Sequence, residues 1–218
     1  SLSVQQFADT TVISPAPYFA VQIDLSSNQL CGLDRQGNGE YTSEGIKAIA
    51  DAISVSGSLN SVNLDGHSLP VKQLKGTNPV ASIDLSSKRL CVLSAIVIGE
   101  LIKANVSGSL TECKLGYNEL GIEGWTTIFN ALRDSPTSKI TKWDLSGEYL
   151  GPEIAKPLAE YLPFTASLMS VDLSQNGLGV EGAKALAPAI AASASLKYLD
   201  VRWNALGEKG NSALRKAV

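Results

Sequence analysis

The sequence holds one histidine, one methionine and three cysteines, and aromatic residues make up only 6% of it. A single imidazole leaves little for general acid–base chemistry near neutral pH. The stretches that carry recognisable chemistry are also missing. There is no G-x-S-x-G, no H-E-x-x-H, no phosphate-cradling G-x-x-x-x-G-K-[ST] and no dinucleotide fingerprint. The cysteines, Cys31, Cys91 and Cys113, are odd in number and form no C-x-x-C, so neither a disulfide framework nor a zinc site is expected. They read as reduced structural thiols of an intracellular chain. Charged residues are only 18% and the net charge is -3, which argues against the basic face of a nucleic-acid binder. No run of 18 apolar residues exists to cross a membrane. Ser1 to Ala20 lack the basic-then-apolar order of a secretory signal. The expected location is therefore intracellular and cytoplasmic, with import into an organelle left open because the sequence starts at Ser1 instead of Met. Asn105-Val106-Ser107 fits the glycosylation pattern, which has meaning only in a secreted chain.

What the sequence does have is 44% hydrophobic residues arranged in a repeat. Leu168, Val171, Leu173, Asn176 and Leu178 recur 28 residues later as Leu196, Leu199, Val201, Asn204 and Leu206. The same slots hold Ile140, Trp143, Leu145, Glu148 and Leu150, and before them Leu110, Cys113, Leu115, Asn118 and Leu120. Earlier still come Val80, Ile83, Leu85, Lys88 and Leu90; Leu59, Val62, Leu64, His67 and Leu69; and Ala20, Ile23, Leu25, Asn28 and Leu30. Within Val171-Asp172-Leu173 the period of two marks a short strand with one buried face. An Asn at the following turn offers both a donor and an acceptor to backbone groups that would otherwise be buried unpaired. The second half of each copy changes to helical spacing, as at Ile46, Ile49 and Ile53, at Ile96 and Leu101, at Ile128 and Leu132, and at Leu186 and Ile190. One such unit cannot bury its own apolar side, so the units must stack.

These residues resemble the ribonuclease-inhibitor-like leucine-rich repeats, which also occur in NOD-like receptors, in the activating protein of the Ran GTPase and in algal and protist repeat proteins. The copies that carry the resemblance best are Leu173-Ser-Gln-Asn176-Gly-Leu178-Gly179-Val-Glu181-Gly182-Ala183 and Val201-Arg-Trp-Asn204-Ala-Leu206-Gly207-Glu-Lys-Gly210. The resemblance implies an α/β fold: a right-handed leucine-rich-repeat solenoid, or horseshoe arc, with parallel strands on the concave face and helices on the convex face. Residues 20–218 are expected to form about seven repeats, starting near 20, 59, 80, 110, 140, 168 and 196. Residues 1–19 are expected to form an N-terminal cap or partial repeat.

Several departures stand out. Residues 31–43 insert eleven residues between strand and helix of the first copy, which reads as a projecting loop. Its Asp34, Asn38 and Glu40 do not fit a calcium loop, and no metal or cofactor is expected. The span from Pro70 to Pro79 leaves no room for a helix, so the second copy is expected to be extended on its outer side. His67, Lys88 and Glu148 replace the turn Asn. His67 is expected to close its turn by hydrogen bonds, and the tips of Lys88 and Glu148 to reach water or local carbonyls. A Cys31–His67 catalytic pair lacks a third group and oxyanion donors. Cys31 and Cys91, two repeats apart, lie beyond disulfide reach. Trp143 fills a core slot, whereas Trp125 is ambiguous.

Alternation puts the residues between the core slots on the open face. One row reads Asp24, Asn63, Asp84, Lys114, Asp144, Asp172, Asp200; a second Ser26, Asp65, Ser86, Gly116, Ser146, Ser174, Arg202. A third reads Ser27, Gly66, Ser87, Tyr117, Gly147, Gln175, Trp203, and a fourth Gln22, Ser61, Ser82, Glu112, Lys142, Ser170, Tyr198. Aromatic residues and Arg are the usual interface anchors, and they gather in the C-terminal half. The candidate partner-binding residues are Lys114, Tyr117, Lys142, Asp144, Asp172, Tyr198, Asp200, Arg202 and Trp203. Trp203 has a second reading, as packing against a following repeat or terminal cap. The function expected is a non-catalytic scaffold that binds another protein, with no nucleic-acid or membrane partner. The alternatives are a structural subunit of a larger complex and, by the resemblance, a regulator of a small GTPase.

Overall fold

The computed structural model describes residues 21–28, 30, 42–135 and 138–217. The expected N-terminal cap, nearly all of the insertion with its acidic residues, and Cys31 with its pairings lie outside the described residues. Five short strands, β4 (Ser82–Asp84), β5 (Glu112–Lys114), β6 (Lys142–Asp144), β7 (Ser170–Asp172) and β8 (Tyr198–Asp200), form one parallel sheet in sequence order. Their register joins equivalent slots: Ile83 to Cys113, Cys113 to Trp143, Trp143 to Val171 and Val171 to Leu199. Each strand is short because the chain turns inward at once, at residues in the left-handed region such as Ser87, Tyr117, Gln175 and Trp203. The helices that follow are α3 (Val92–Lys103), α4 (Gly121–Arg133), α5 (Ala155–Tyr161), α6 (Gly179–Ala192) and α7 (Gly207–Arg215). The apolar slots fuse into one continuous core from Leu25 to Leu206. Its widest part is aromatic, with Trp125 edge-on to Trp143 at 5.8 Å and Phe129 stacked on Tyr161 at 5.1 Å. Trp125 is thus a core residue, as is Trp143.

The parallel ladder does not run unbroken to the N-terminal end. β1 (Val21–Asp24) pairs in parallel with β2 (Leu59–Asn63), but β2 pairs on its other side with β3 (Ser68–Pro70), which runs antiparallel. The second copy therefore folds back as a hairpin at Gly66, whose φ of +80° suits glycine. It then makes a single helical turn, α2 (Val71–Leu74), where no helix was expected. His67 lies at the tip of this hairpin, exposed and without a hydrogen-bond partner among the described residues, so it does not close the turn. The first full helix, α1 (Glu44–Val55), bypasses the short copy and packs on α3.

Asp65 gives the hairpin a second role. Its carboxylate accepts the backbone N–H of Cys91 at 2.9 Å, the Cys91 thiol at 3.1 Å and the Ser94 hydroxyl at 2.5 Å. Cys91 is the residue that opens α3, so the preceding repeat caps this helix where its unpaired N–H groups and dipole favour a negative charge. Burial, together with this neighbouring carboxylate, pushes the Cys91 thiol up to about 12, and burial pushes the Cys113 thiol up as well. Both are inert as nucleophiles at neutral pH. Asp65→Ala is expected to cost roughly 1–2 kcal/mol, with Asp65→Asn less harmful, measured by denaturant unfolding.

A second ladder runs beneath the turns. Asn118 Oδ1 accepts the backbone N–H groups of Lys88 and Leu90 from the preceding repeat, while Nδ2 donates to the carbonyls of Leu85 and Leu115. Asn204 takes the N–H groups of Asn176 and Leu178 in the same way. Glu148 departs from expectation: it is buried, and its two oxygens accept the N–H groups of Asn118 at 2.7 Å and Leu120 at 3.0 Å. Burial raises its carboxyl to about 7, against the lowering effect of these two amides; the indole of Trp125 lies close by, but out of hydrogen-bond geometry. The amides of the preceding turn demand an acceptor whatever its charge, and this demand holds the carboxyl inside. Lys88, in contrast, is exposed, as expected.

Candidate functional site

The strands bring the expected residues into register on one face. Lys114, Asp144, Asp172 and Asp200 are direct neighbours across β5 to β8, with Asp84 beside Lys114. The next row sets Glu112, Lys142, Ser170 and Tyr198 side by side. Lys142 reaches the Glu112 carboxylate at 3.9 Å, an exposed pair of small energetic weight.

The aspartates have a local task that the sequence did not reveal. Asp24, Asp84, Asp144, Asp172 and Asp200 each accept the backbone N–H two residues on. Each thereby closes the strand end as a side-chain turn. At Asp84 the Ser86 hydroxyl, followed by the Ser86 amide, holds the carboxyl below its ordinary value. At Asp200 the Arg202 side chain does the same, with Nη2 and Oδ2 at 2.6 Å. Arg202 is thus tied to its own repeat, although its side chain stays mostly exposed.

The third row forms a rim where strands turn toward helices. Tyr117 and Trp203 occupy left-handed turn positions with φ of 57° and 61° and are 49% and 79% exposed. Tyr117 is pinned. Its ring lies over the backbone of Gly147 in the next repeat, and its hydroxyl accepts from Gln175 Nε2, two repeats away, at 2.7 Å. A Cβ at residue 147 would stand 2.5 Å from that ring. Gly147→Ala should therefore dislodge Tyr117, and the φ of +65° adds roughly 1 kcal/mol of backbone cost. The check is loss of the Gln175 side-chain amide shift that marks this contact in an NMR spectrum.

Tyr149 joins this rim. It is 89% exposed at a φ of 53°. It escaped the alternation argument because it follows the buried turn slot, where alternation no longer applies. The available signal was its place directly after Glu148, since the residue that follows this slot is exposed in the other repeats too, as at Arg89, Glu119 and Ala205. Tyr198 adds a fourth exposed ring on the strand face, with its hydroxyl 3.5 Å from Asp200 Oδ2. Among the described residues no cluster of His, Cys, Asp and Glu is arranged to hold a metal ion, and no helix is long and apolar enough to cross a membrane.

Residues 166–187 and 192–214 match the Leucine Rich repeat family model. No curated protein matches the chain. Among solved structures it is similar to the tropomodulin C-terminal domain of Caenorhabditis elegans, at 15% identity and a TM-score of 0.53, over 67% of this chain and 87% of that one. It is similar also to actin-binding site 2 of leiomodin-1, at 13% identity and a TM-score of 0.56, over 67% of this chain and 86% of that one. Residues 166–187 and 192–214 are thus leucine-rich repeats by the family model, and the same strand-and-helix stacking with its ladder of turn side chains continues back through β4.

Proposed function

We propose that the strand face and its aromatic rim hold another protein, without catalysis. The observation that carries this reading is the group of exposed rings along the rim, Tyr117, Tyr149 and Trp203, with Tyr198 beside them. Tyr117 is held by Gln175 and Gly147 and so loses little conformational freedom on binding, and large exposed rings are the usual anchors of interfaces. Asp144, Asp172, Lys114 and Lys142 supply polar contacts around these anchors. The related stack in leiomodin-1 is an actin-binding site, which supports protein binding as a use of this fold without identifying this chain's partner. The protein-binding reading extends the ribonuclease-inhibitor-like resemblance, and it is tested by capture from source lysate followed by mass spectrometry. Trp203→Ala and Tyr149→Ser should each reduce capture about tenfold, equivalent to roughly 1.4 kcal/mol, with an unchanged melting temperature. Normal capture by both variants would refute the proposed face.

One observation favours a second reading, a subunit built into a larger assembly. The apolar slots Leu199 and Val201 of the last repeat are only half-buried, whereas Val171 and Leu173 one repeat earlier are fully buried. Size-exclusion chromatography of native extract separates the two readings, since an exclusively free monomer defeats the assembly.

A further inference from the structure

We propose that the edge where the chain enters its strands, opposite the aromatic rim, carries a second docking site: a groove for a short acidic and apolar segment of a partner protein. Thr141, Ala166, Met169 and Ala194 line an open hollow of about 620 Å³ on this edge, flanked by Lys139 and Lys197. A second hollow of about 330 Å³ shares Ala166 and Ser167 and runs on to Phe164. Phe164 is 69% exposed and Met169 40%. Met169 lies between two neighbouring strand entries: its N–H donates to Thr141 O, and its carbonyl accepts from Lys197 and Tyr198. Its exposure therefore comes from the open edge and not from an end of the stack. A large ring and an adaptable methionine beside a hollow are apolar surface that a partner can cover.

Charge determines what that partner carries. Among the described residues no carboxylate lines either hollow, whereas Lys139, Lys197 and Arg133 do. Arg133 is engaged by Asp134 at 3.3 Å. Lys139 and Lys197 are exposed, and neither is in an ion pair. The hydroxyls along the groove are already spent. Thr111, Thr141, Ser167 and Ser195 each donate to a backbone carbonyl at 3.0–3.1 Å. The two ammonium groups are then the free donors, and the group they select from a protein segment is a carboxylate. A chain of net charge -3 thus keeps a basic, apolar strip on one edge.

Spacing sets the length of the segment. Lys139 stands before β6 and Lys197 before β8, two strands along. At about 4.8 Å per strand they lie about 10 Å apart, which an extended segment covers in about three residues. The fitting segment has two carboxylates at that spacing with apolar side chains between them, set over Met169. Rim and groove lie at opposite ends of the same strands, so one molecule can engage both at once.

Fluorescence anisotropy tests this on the whole chain. The probe is a labelled peptide with glutamates three places apart and leucines between them; its control carries lysine in place of glutamate. The glutamate peptide should bind with a Kd of about 10–100 μM and the lysine peptide roughly tenfold more weakly. Added salt should weaken the glutamate peptide. The double variant Lys139→Glu, Lys197→Glu should reverse the preference between the two peptides, and the double variant Lys139→Arg, Lys197→Arg should keep it. Met169→Ser should weaken the glutamate peptide, whereas Trp203→Ala should bind it as the wild type does. All four positions are exposed, and an unchanged melting temperature shows that the variants fold. Absent or equal binding of the two peptides, an unaltered preference in the charge-reversed variant, or loss of binding in Trp203→Ala would each overturn the proposal. Retention on phosphatidylserine vesicles with no peptide bound would overturn it too, by making the strip a membrane contact.

Discussion

Asn118→Ala should cost roughly 3–5 kcal/mol of folding free energy, more than any single substitution on the exposed rim. Four hydrogen bonds vanish at once, two from the amides of Lys88 and Leu90 and two to the carbonyls of Leu85 and Leu115. Water cannot replace them readily, because Asn118 is buried beneath the turn. Asn118→Asp keeps the acceptor but loses the donor and adds a charge, so it should remain strongly destabilising. Urea unfolding at constant pH checks both, with an unchanged slope showing that the same surface is exposed on unfolding. A loss below about 1 kcal/mol for Asn118→Ala would mean that this ladder does not hold the repeats together.

Glu148 should make stability depend on pH in a direction opposite to that of most carboxylates. Its folded value, about 7, stands above the ordinary 4.5 because burial penalises the charge. Below that ordinary value the carboxyl is neutral in both folded and unfolded chains, and its contribution is fully present. As the pH rises through about 7 the folded chain must bury a charge, and roughly 3 kcal/mol is lost. Glu148→Gln should flatten this slope and exceed the wild type in stability near pH ~8, because the amide keeps an acceptor for the turn while carrying no charge. Glu148→Ala should instead cost roughly 2–5 kcal/mol near pH ~5, where it strands the buried amides of Asn118 and Leu120. Its cost should shrink at higher pH, where the wild type bears the buried charge. Unfolding curves for the three proteins across pH separate these outcomes.

Much of this architecture is legible because burial repeats. Val171, Leu173, Leu178 and their equivalents must all point inward, and the count between them fixes both strand and turn. The second copy was harder to read. Its apolar slots fit the pattern, but periodicity cannot distinguish an outward extended segment from one that doubles back at Gly66 to cover β2 as an antiparallel strand. Glu148 misled for a related reason. Charge suggests water, whereas the amide donors beneath the turn impose an acceptor regardless of residue type. The candidate face was legible as a set of rows, and the rows do align in the sheet. What the rows concealed was local chemistry: the aspartates close their own strand ends, and Tyr117 spans two repeats because Gly147 leaves room for its ring. Tyr149 lay outside the rows altogether.

Hydrogen exchange on the chain alone and with its captured partner bears most directly on where that partner sits. Added protection is expected across 112–120, 142–151 and 198–205, the strands and turns that carry the four exposed rings, and across 170–177 between them, while α3, α4 and α6 exchange as before. Protection confined to those helices, with the rim unchanged, would contradict the account.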